Sequence, residues 1–334
     1  MAGTVIITGA NGSLALGFMS HLLSQYPHFT VIATVRNASS EKDENTARLV
    51  DLVSHCPTAK VIIEALDLGQ LDAVRSFAHK VANQVVSKEI PRISAIICNA
   101  ATWSLEGGQK FTADGYEATF QVCHLAHFVL VNLLLDSLDR DNGRIVMLGS
   151  ITHYPHKMQP ISSLTAEFPG NLEELVKPTV DPVSLIHDRG FQRYATAKLA
   201  NVTFALHLNR ILKGNPQYTK ITVTAMDPGG LPDSRAQMEQ KKSTQRIMNV
   251  IKVLLPLLRH FTSTFRTIED AGKDLAIVSV DPTFYGKRGY FVGVKDSQPA
   301  AISRDVQCQQ RLWEACWRWS GMREEDTCLK TSSS

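Results

Sequence analysis

The chain opens with Thr4-Val-Ile-Ile-Thr-Gly9-Ala-Asn-Gly12-Ser-Leu14, and this stretch decides the fold. A short β-branched run such as residues 4–7 is typical of a buried parallel strand. Apolar residues at helical spacing then predict a helix that runs to about Gln25. A strand, a glycine turn and a helix in that order predict an α/β fold whose turn binds phosphate, because the backbone amides at a helix N-terminus favour a pyrophosphate. A tight turn without a ligand is the alternative.

Composition excludes several other classes of protein. The 334 residues are 44% hydrophobic and 20% charged, which is ordinary for a globular protein, and a net charge of +3 is too small to indicate nucleic-acid binding. Six cysteines lack metal-ligand spacing, so we expect buried thiols and no metal site. No apolar run approaches ~20 residues and no leader pattern precedes the first strand. We therefore expect a soluble protein that is located in the reducing environment of the cytoplasm.

Strand and helix patterns alternate along most of the chain. Short connections between them predict a single Rossmann-type α/β domain over residues 1–326, a doubly wound parallel sheet of about seven strands in the order 3-2-1-4-5-6-7 with helices on both faces. A tail at 327–334 is predicted to be disordered. The later strands are predicted at 30–35, 60–66, 92–97, 144–148, 220–226 and near 289–294, and further helices at about 113–139 and 268–278.

Polar or small residues follow the predicted strands. Ligands of open α/β sheets collect at the carboxyl ends of strands, so Gly9, Arg36, Asp67, Asn99 and Ser150 are predicted to meet at one nucleotide site. An Arg after the second strand suits a 2′-phosphate, which favours NADP over NAD, and a surface Arg is the alternative. Asp67 is predicted either to reach the adenine amino group or to cap the next helix.

A second stretch, Phe191-Gln-Arg-Tyr194-Ala-Thr-Ala-Lys198, carries the predicted chemistry. The spacing places Tyr194 and Lys198 on one face of a helix, and Gly214 and Pro216 end that helix. A phenol has a pKa of about 10, and a nearby ammonium lowers it, which would make Tyr194 a general acid or base. The spacing alone is also compatible with a surface pair.

Two long segments are predicted to shape a substrate pocket. Residues 151–192 are interrupted by prolines, and a loop of that length in a compact domain is usually functional. In it, His153 and His156 are interpreted as hydrogen-bonding or exposed residues. Residues 231–262 are polar and then apolar, and a lid over the substrate is the favoured interpretation. Contact of 246–261 with a membrane surface is the alternative.

Together these motifs resemble the short-chain dehydrogenase/reductase superfamily over nearly the whole chain. Within the superfamily, the chain is similar to the branch of retinol-dehydrogenase-like and protochlorophyllide-reductase-like proteins, on the basis of Ser150-Ile-Thr-His153, Lys198-Leu-Ala-Asn201 and the long segment between them. The residues of other motifs are similar to those of fungal secondary-metabolite members. The matching motifs are Thr8-Gly9-Ala10-Asn11-Gly12, Asp67-Leu68, Cys98-Asn99-Ala100-Ala101, Gly149-Ser150, Tyr194-x-x-x-Lys198 and Asp227-Pro228-Gly229.

The resemblance implies a role for each matching residue. Tyr194 would donate the proton to a carbonyl, Lys198 would lower its pKa and bind the nicotinamide ribose, and Ser150 would hold the substrate oxygen. NADP(H) would be the hydride carrier. The implied cofactor-binding positions are Gly9, Asn11, Ser13, Leu14, Arg36, Asp67, Leu68, Asn99, Ala100, Ala101, Tyr194, Lys198, Pro228, Gly229, Gly230 and Leu231.

The sequence also departs from the family pattern. Ser13 and Ala15 stand where glycines are usual, Cys123 replaces the Asn of the family's proton relay, and Asp233 and Ser234 follow Pro-Gly where a Thr is frequent. Related proteins pair through the helices near 113–139 and 194–213, so a monomer and a homodimer both remain open.

The predicted function is an NADP-dependent oxidoreductase that interconverts a ketone and a secondary alcohol on a fairly large apolar molecule, in secondary metabolism. The altered relay motivates an alternative, a non-redox isomerase or cyclase on the same scaffold. A nucleotide-sensing binding protein is a third hypothesis, and the intact set of Ser150, Tyr194 and Lys198 argues against it.

Overall fold

The computed structural model describes residues 3–157, 162–258 and 264–329. Within these ranges eight strands form one sheet in the order β3-β2-β1-β4-β5-β6-β7-β8. The strands are β1 (Thr4–Thr8), β2 (Thr30–Val35), β3 (Lys60–Ala65), β4 (Ile93–Cys98), β5 (Arg144–Leu148), β6 (Thr222–Asp227), β7 (Gly289–Val292) and β8 (Lys295–Ser297).

Helices connect the strands and cover both faces of the sheet. A helix from Ala118 to Ser137 contains a π-helical turn at Gln121–Leu125 and ends in a 3-10 turn at Leu135–Ser137. The helices are α1 (Ser13–Gln25), α2 (Glu44–Ser54), α3 (Leu71–Val86), α4 (Ala118–Ser137), α5 (Ile186–Gly214), α6 (Lys242–Leu258), α7 (Ile268–Val280), α8 (Ala301–Arg304) and α9 (Val306–Ser320).

Strands β1 to β7 pair in parallel, which confirms the predicted fold class and strand order. The structure adds β8, which pairs antiparallel with β7 across a tight turn at Gly293, where φ is +57°. The sequence Lys-Asp-Ser of β8 is charged and has no strand pattern, so only the turn and the sheet edge specify this strand.

Side chains that alternate along the strands form two hydrophobic layers. Ile6, Ile32 and Ile96 pack with α3, α4, α5 and α9 on one face of the sheet. Val5 and Ile97 pack with α1 and α7 on the other face. Because the central strands β1, β2, β5 and β6 are buried on both sides, their carboxyl ends are the part of these strands left available to a ligand.

Helix α4 corrects two expectations. It begins at Ala118 rather than near residue 113, because the Glu117 carboxylate accepts the Phe120 N–H at 2.8 Å and caps the first turn. Among the described residues it is the one helix long and apolar enough to span a membrane by length and composition, contrary to the expectation that no segment reaches that length. Its most apolar window is 83% buried inside the protein, as expected of a core helix.

Two predicted boundaries are also wrong. Helix α5 starts at Ile186, so the predicted loop 151–192 ends at 185, and 158–161 lie outside the described residues. The predicted tail is ordered at 327–329, where the Thr327 hydroxyl donates to the Asn132 carbonyl and Leu329 is 3% exposed. Residues 330–334 lie outside the described residues.

Helix α9 packs against α4 and α5. Trp313 stacks on Phe204 with 6.0 Å between ring centroids and lies edge-on to Phe128 at 5.1 Å. Trp313 and Trp319 are buried. The C-terminal helix therefore covers surfaces of the two helices through which related proteins are expected to pair.

Helices α1 and α7 cross in backbone contact, which only glycine permits. A Cβ on Gly272 would lie 2.3 Å from the Gly17 carbonyl carbon and 2.4 Å from the Phe18 nitrogen. A Cβ on Gly17 would lie 2.4 Å from the Ile268 carbonyl oxygen. These are backbone atoms and cannot rotate away, so the helix spacing depends on both glycines.

We expect Gly272→Ala to lower the free energy of unfolding by about 1–3 kcal/mol, because the added methyl overpacks the α1–α7 crossing. Gly214→Ala is the matched control, since a Cβ there meets no atom within 4 Å. Urea unfolding followed by circular dichroism measures both variants. If Gly272→Ala were as stable as Gly214→Ala, the α1–α7 crossing would not require glycine.

Two histidines of α4 lie in the core without charge. His127 donates from Nδ1 to the Cys123 carbonyl at 3.1 Å and accepts the Thr8 hydroxyl at Nε2 at 2.8 Å, which joins α4 to the end of β1. Burial lowers the pKa of His127 to about 3 and that of His124 to about 4. Both rings are neutral at physiological pH, as their hydrogen bonds require.

We expect acid to destabilise the protein through these histidines. The folded pKa of His127 lies below its ordinary value of 6.5, so the unfolded chain binds the extra proton and stability falls as the pH drops from 6.5 towards 3. The free energy of unfolding of the wild type should fall between about pH 7.5 and pH 5, and His127→Gln should make this fall smaller by roughly 2 kcal/mol. Unfolding free energies at the two pH values measure it. The exposed His79→Gln should keep the wild-type dependence, and an unchanged dependence in His127→Gln would contradict the assignment.

Candidate active site

The turn between β1 and α1 is shaped to approach a ligand closely. Gly9 has a φ of +63°, and a Cβ there would lie 3.0 Å from Ala100. Gly12 is the N-cap of α1, and no side chain caps the helix. The amides of the first turn, which begins at Ser13 and Leu14, therefore lack an intrahelical acceptor, and they fit the phosphate-binding role predicted for this turn.

Hydrogen bonds hold the ends of β1 and β4 side by side. The Thr8 hydroxyl accepts the N–H groups of Asn99 and Ala100, both at 3.0 Å. The Asn99 side chain donates to the carbonyls of Thr8 at 2.9 Å and Gly9 at 3.2 Å. Asn99, Ala100 and the exposed Ala101 thus lie beside the glycine turn, and the Asn99 amide fixes the shape of that turn.

Ser150, Tyr194 and Lys198 converge at the carboxyl end of β5. The Lys198 ammonium, 3% exposed, donates to the Leu148 carbonyl at 3.1 Å and lies 5.5 Å from the centroid of the Tyr194 ring. The Ser150 hydroxyl hydrogen-bonds the Tyr194 phenol. The predicted placement of both side chains on one helix face is what brings them to Ser150.

The protonation states differ from the sequence expectation. Burial raises the pKa of Tyr194, and the hydrogen bond from Ser150 offsets only part of this effect. Burial lowers the pKa of Lys198. The expectation of a lowered pKa for Tyr194 is therefore wrong for the polypeptide alone, because desolvation of the phenol dominates and the nearby Cys123 and Asp227 groups add to it. The phenol is protonated at neutral pH.

The segment after β6 completes the edge of the site. Asp227 is buried, and its carboxylate accepts the Gly229 N–H at 2.8 Å and the Tyr290 hydroxyl at 3.2 Å. Gly229 has a φ of +83°, which turns Pro228, Gly229, Gly230 and Leu231 along the strand ends. Gly230 pairs with Phe265 in an isolated parallel bridge, and this bridge holds the start of the segment predicted as a lid.

The two predicted adenosine contacts, Arg36 and Asp67, lie in different environments. Arg36 is exposed at the end of β2 and makes no hydrogen bond or ion pair within the described part of the chain, so its side chain is available to a ligand. Asp67 accepts the Gly69 N–H at 2.9 Å and the Gln70 side chain at 3.0 Å. Asp67 therefore shapes the turn into α3, and Leu68 beside it is buried.

The contacts of several residues near the site were not predicted from the sequence. The rings of Trp103 and Tyr194 lie edge to face with 4.8 Å between centroids, so Trp103 forms a wall beside the phenol. Cys123, in place of the relay Asn, has its thiol 3.3 Å from the Thr102 carbonyl. Asn201 donates to the Leu148 carbonyl at 3.0 Å, and its oxygen bonds the His124 ring at 2.9 Å. These contacts join residues far apart in sequence.

The described part of the loop after β5 helps to position Ser150 and contributes no catalytic histidine. His153 is buried; its Nδ1 donates to the Ser150 carbonyl at 2.7 Å, and its Nε2 accepts the Ala300 N–H at 3.1 Å. His156 is exposed, so both histidines are as predicted. A cavity of about 240 Å³ lies under the later part of this loop, but it is lined by Arg189, Arg193 and Thr196, on the side of α5 away from Tyr194 and Lys198.

Helix α6 exposes an apolar stripe. Leu255 is buried, whereas a set of aliphatic side chains on another side of the helix faces solvent at 46% to 78% exposure: Ile247, Val250, Val253, Leu254 and Leu257. The predicted lid 231–262 and the predicted membrane segment 246–261 both include these residues, and 259–262 lie outside the described residues. The exposed stripe is compatible with either interpretation.

Comparison with known proteins identifies the family of the chain. A family model described as short chain dehydrogenase matches residues 3–161, and one described as AcuH dehydrogenase domain matches residues 237–329. The chain is 30% identical to the short-chain dehydrogenase iccH of Talaromyces variabilis, with 98% of each chain covered. It is 27% identical to a chloroplastic protochlorophyllide reductase of Chlamydomonas reinhardtii, over 96% of this chain and 78% of that protein.

Solved structures share the fold at low sequence identity. A short-chain dehydrogenase/reductase variant from Serratia marcescens aligns with a TM-score of 0.57 and 17% identity, over 87% of this chain and 96% of that one. The angucycline C-6 ketoreductase LanV with bound NADP aligns with a TM-score of 0.57 and 14% identity, over 87% and 93%. By its sequence relatives and by the motifs gathered at its strand ends, the chain belongs to the short-chain dehydrogenase/reductase family.

Proposed function

We propose that the protein reduces a ketone on a fairly large apolar molecule to a secondary alcohol, with NADPH as the hydride donor. The observation that carries the proposal is the convergence of Ser150, Tyr194 and Lys198 at the end of β5, on the same edge of the sheet as the glycine turn. A protonated phenol is the form that gives a proton to a carbonyl oxygen, as the reductive direction requires.

The residues at the strand ends fit a nicotinamide dinucleotide. The uncapped N-terminus of α1 suits the pyrophosphate, and Gly9 allows the tight turn before it, because its φ is positive and a Cβ there would lie 3.0 Å from Ala100. The free guanidinium of Arg36 suits a 2′-phosphate and supports NADP over NAD. When bound, the cofactor would supply the hydride.

The chain's own residues would then position and protonate the substrate. Ser150 and Tyr194 would both donate hydrogen bonds to the carbonyl oxygen, because their hydroxyls already lie together. Tyr194 would release its proton as negative charge develops on that oxygen. Lys198, held by the Leu148 carbonyl, would stabilise the phenolate and bind the ribose hydroxyls.

The proposal also includes the type of substrate, the oligomeric state and the cellular role. Trp103 beside the phenol and the exposed aliphatic stripe of α6 support an apolar substrate, with 231–262 closing over it as a lid. The coverage of α4 and α5 by α9 supports a monomer. A cytoplasmic location and a role in secondary metabolism rest on composition and on the family resemblance.

We expect Tyr194→Phe to lower kcat/KM for NADPH-dependent ketone reduction by about 10²–10⁴-fold, because the proton donor is lost while the ring and its packing remain. NADPH binding should persist, since the phenol oxygen is one contact among many. A panel of apolar ketones is screened by NADPH absorbance, with NADH in parallel. Tyr285→Phe, at a 50% exposed surface position, is the control and should retain wild-type rates.

Two results would overturn the proposal. Full turnover in Tyr194→Phe would exclude the phenol as the proton donor. Product formation without net NADPH consumption would instead indicate an isomerase or cyclase, the alternative motivated by Cys123 at the relay position.

A further inference from the structure

Arg235, from the segment after β6, lies on the glycine turn between β1 and α1. Its backbone N–H and its Nε–H both donate to the Ser13 hydroxyl, at 3.1 and 3.4 Å. Its Nη2 group donates to the Asn11 carbonyl. These contacts span more than 220 residues of sequence and place a cation over the turn that the fold offers to phosphate.

The Arg235 guanidinium has no counter-ion among the described residues. Its hydrogen-bond partners are a hydroxyl and a carbonyl, and no carboxylate forms an ion pair with it in the described part of the chain. No Asp or Glu occurs in the remaining residues of the sequence. Burial and the nearby charge of Arg48 lower the pKa of Arg235, while Asp43 and Glu44 oppose this effect from a distance. A partly buried cation held without an anion is a site that an anion would stabilise.

The guanidinium also retains donors for such an anion. An Arg side chain carries five N–H groups in a planar fork, and the Nη1 group of Arg235 makes no hydrogen bond to the described residues. The fork matches two oxygens of a phosphate group. Beside it, Ser13 and Leu14 open the uncapped helix α1, so amides and guanidinium face the same space.

We propose that Arg235 binds a phosphate group of the dinucleotide and thereby links cofactor binding to the segment 231–258. The inference rests on the proposed function, because it assigns a further ligand to the same cofactor. The shared chemistry is a phosphate oxygen, which belongs either to the pyrophosphate or to the 2′-phosphate. In this arrangement the cofactor completes the charge balance of Arg235 and fixes the start of the lid on the turn.

The test is isothermal titration of the full-length protein with NADPH, ADP-ribose, 2′,5′-ADP and 5′-AMP. Arg235→Gln should weaken NADPH binding about tenfold or more, as expected for a charge-assisted contact to phosphate. Loss against ADP-ribose assigns the pyrophosphate, and loss against 2′,5′-ADP but not 5′-AMP assigns the 2′-phosphate. Arg235→Lys should recover part of the affinity, because it keeps the charge without the fork.

Arg246→Gln is the matched control, since Arg246 lies in the same segment, is exposed and has no contact with the turn. A second readout is hydrogen exchange of the amides of α6, which NADPH should slow in the wild type and not in Arg235→Gln. Wild-type affinity of Arg235→Gln for all four nucleotides would overturn the inference and leave the proposed function intact. Failure of the wild-type protein to bind any of them would overturn both.

Discussion

The Leu148 carbonyl, at the carboxyl end of β5, is the acceptor on which the site depends. It receives the Lys198 ammonium at 3.1 Å and the Asn201 side chain at 3.0 Å, one helical turn apart on α5. These two bonds fix both the distance and the rotation of α5 against the sheet. Ser150 follows Leu148 by two residues and Tyr194 precedes Lys198 by one turn, so their meeting is a consequence of this anchor.

The anchor works because the sheet gives it a rigid partner. Strands β1, β4, β5 and β6 are buried on both faces, and the Thr8–Asn99 hydrogen bonds hold two of their ends in register. Burial of the Lys198 ammonium costs desolvation free energy, and this cost lowers the pKa of Lys198. Burial has the opposite effect on Tyr194, which keeps its proton. In the polypeptide alone, the same desolvation therefore disfavours the charged form of both groups.

Local patterns predicted the parts of the structure that local physics determines. The β-branched runs identified the parallel strands, and the residues after them identified the edge where Gly9, Asn99 and Ser150 lie. Contacts between segments far apart in the sequence could not be predicted from local patterns. Arg235 on Ser13, His127 on Thr8 and Trp103 on Tyr194 depend on which elements the fold brings together. The pKa of Tyr194 was predicted in the wrong direction because burial is a property of the whole fold.

The most direct test of this account is a crystal structure of the full-length protein with NADP⁺. We expect the nicotinamide ring to lie beside the hydroxyls of Tyr194 and Ser150, with its ribose on the Lys198 ammonium and the pyrophosphate at the N-terminus of α1. A nucleotide bound away from the strand ends, or a Tyr194 hydroxyl turned away from the ring, would contradict it.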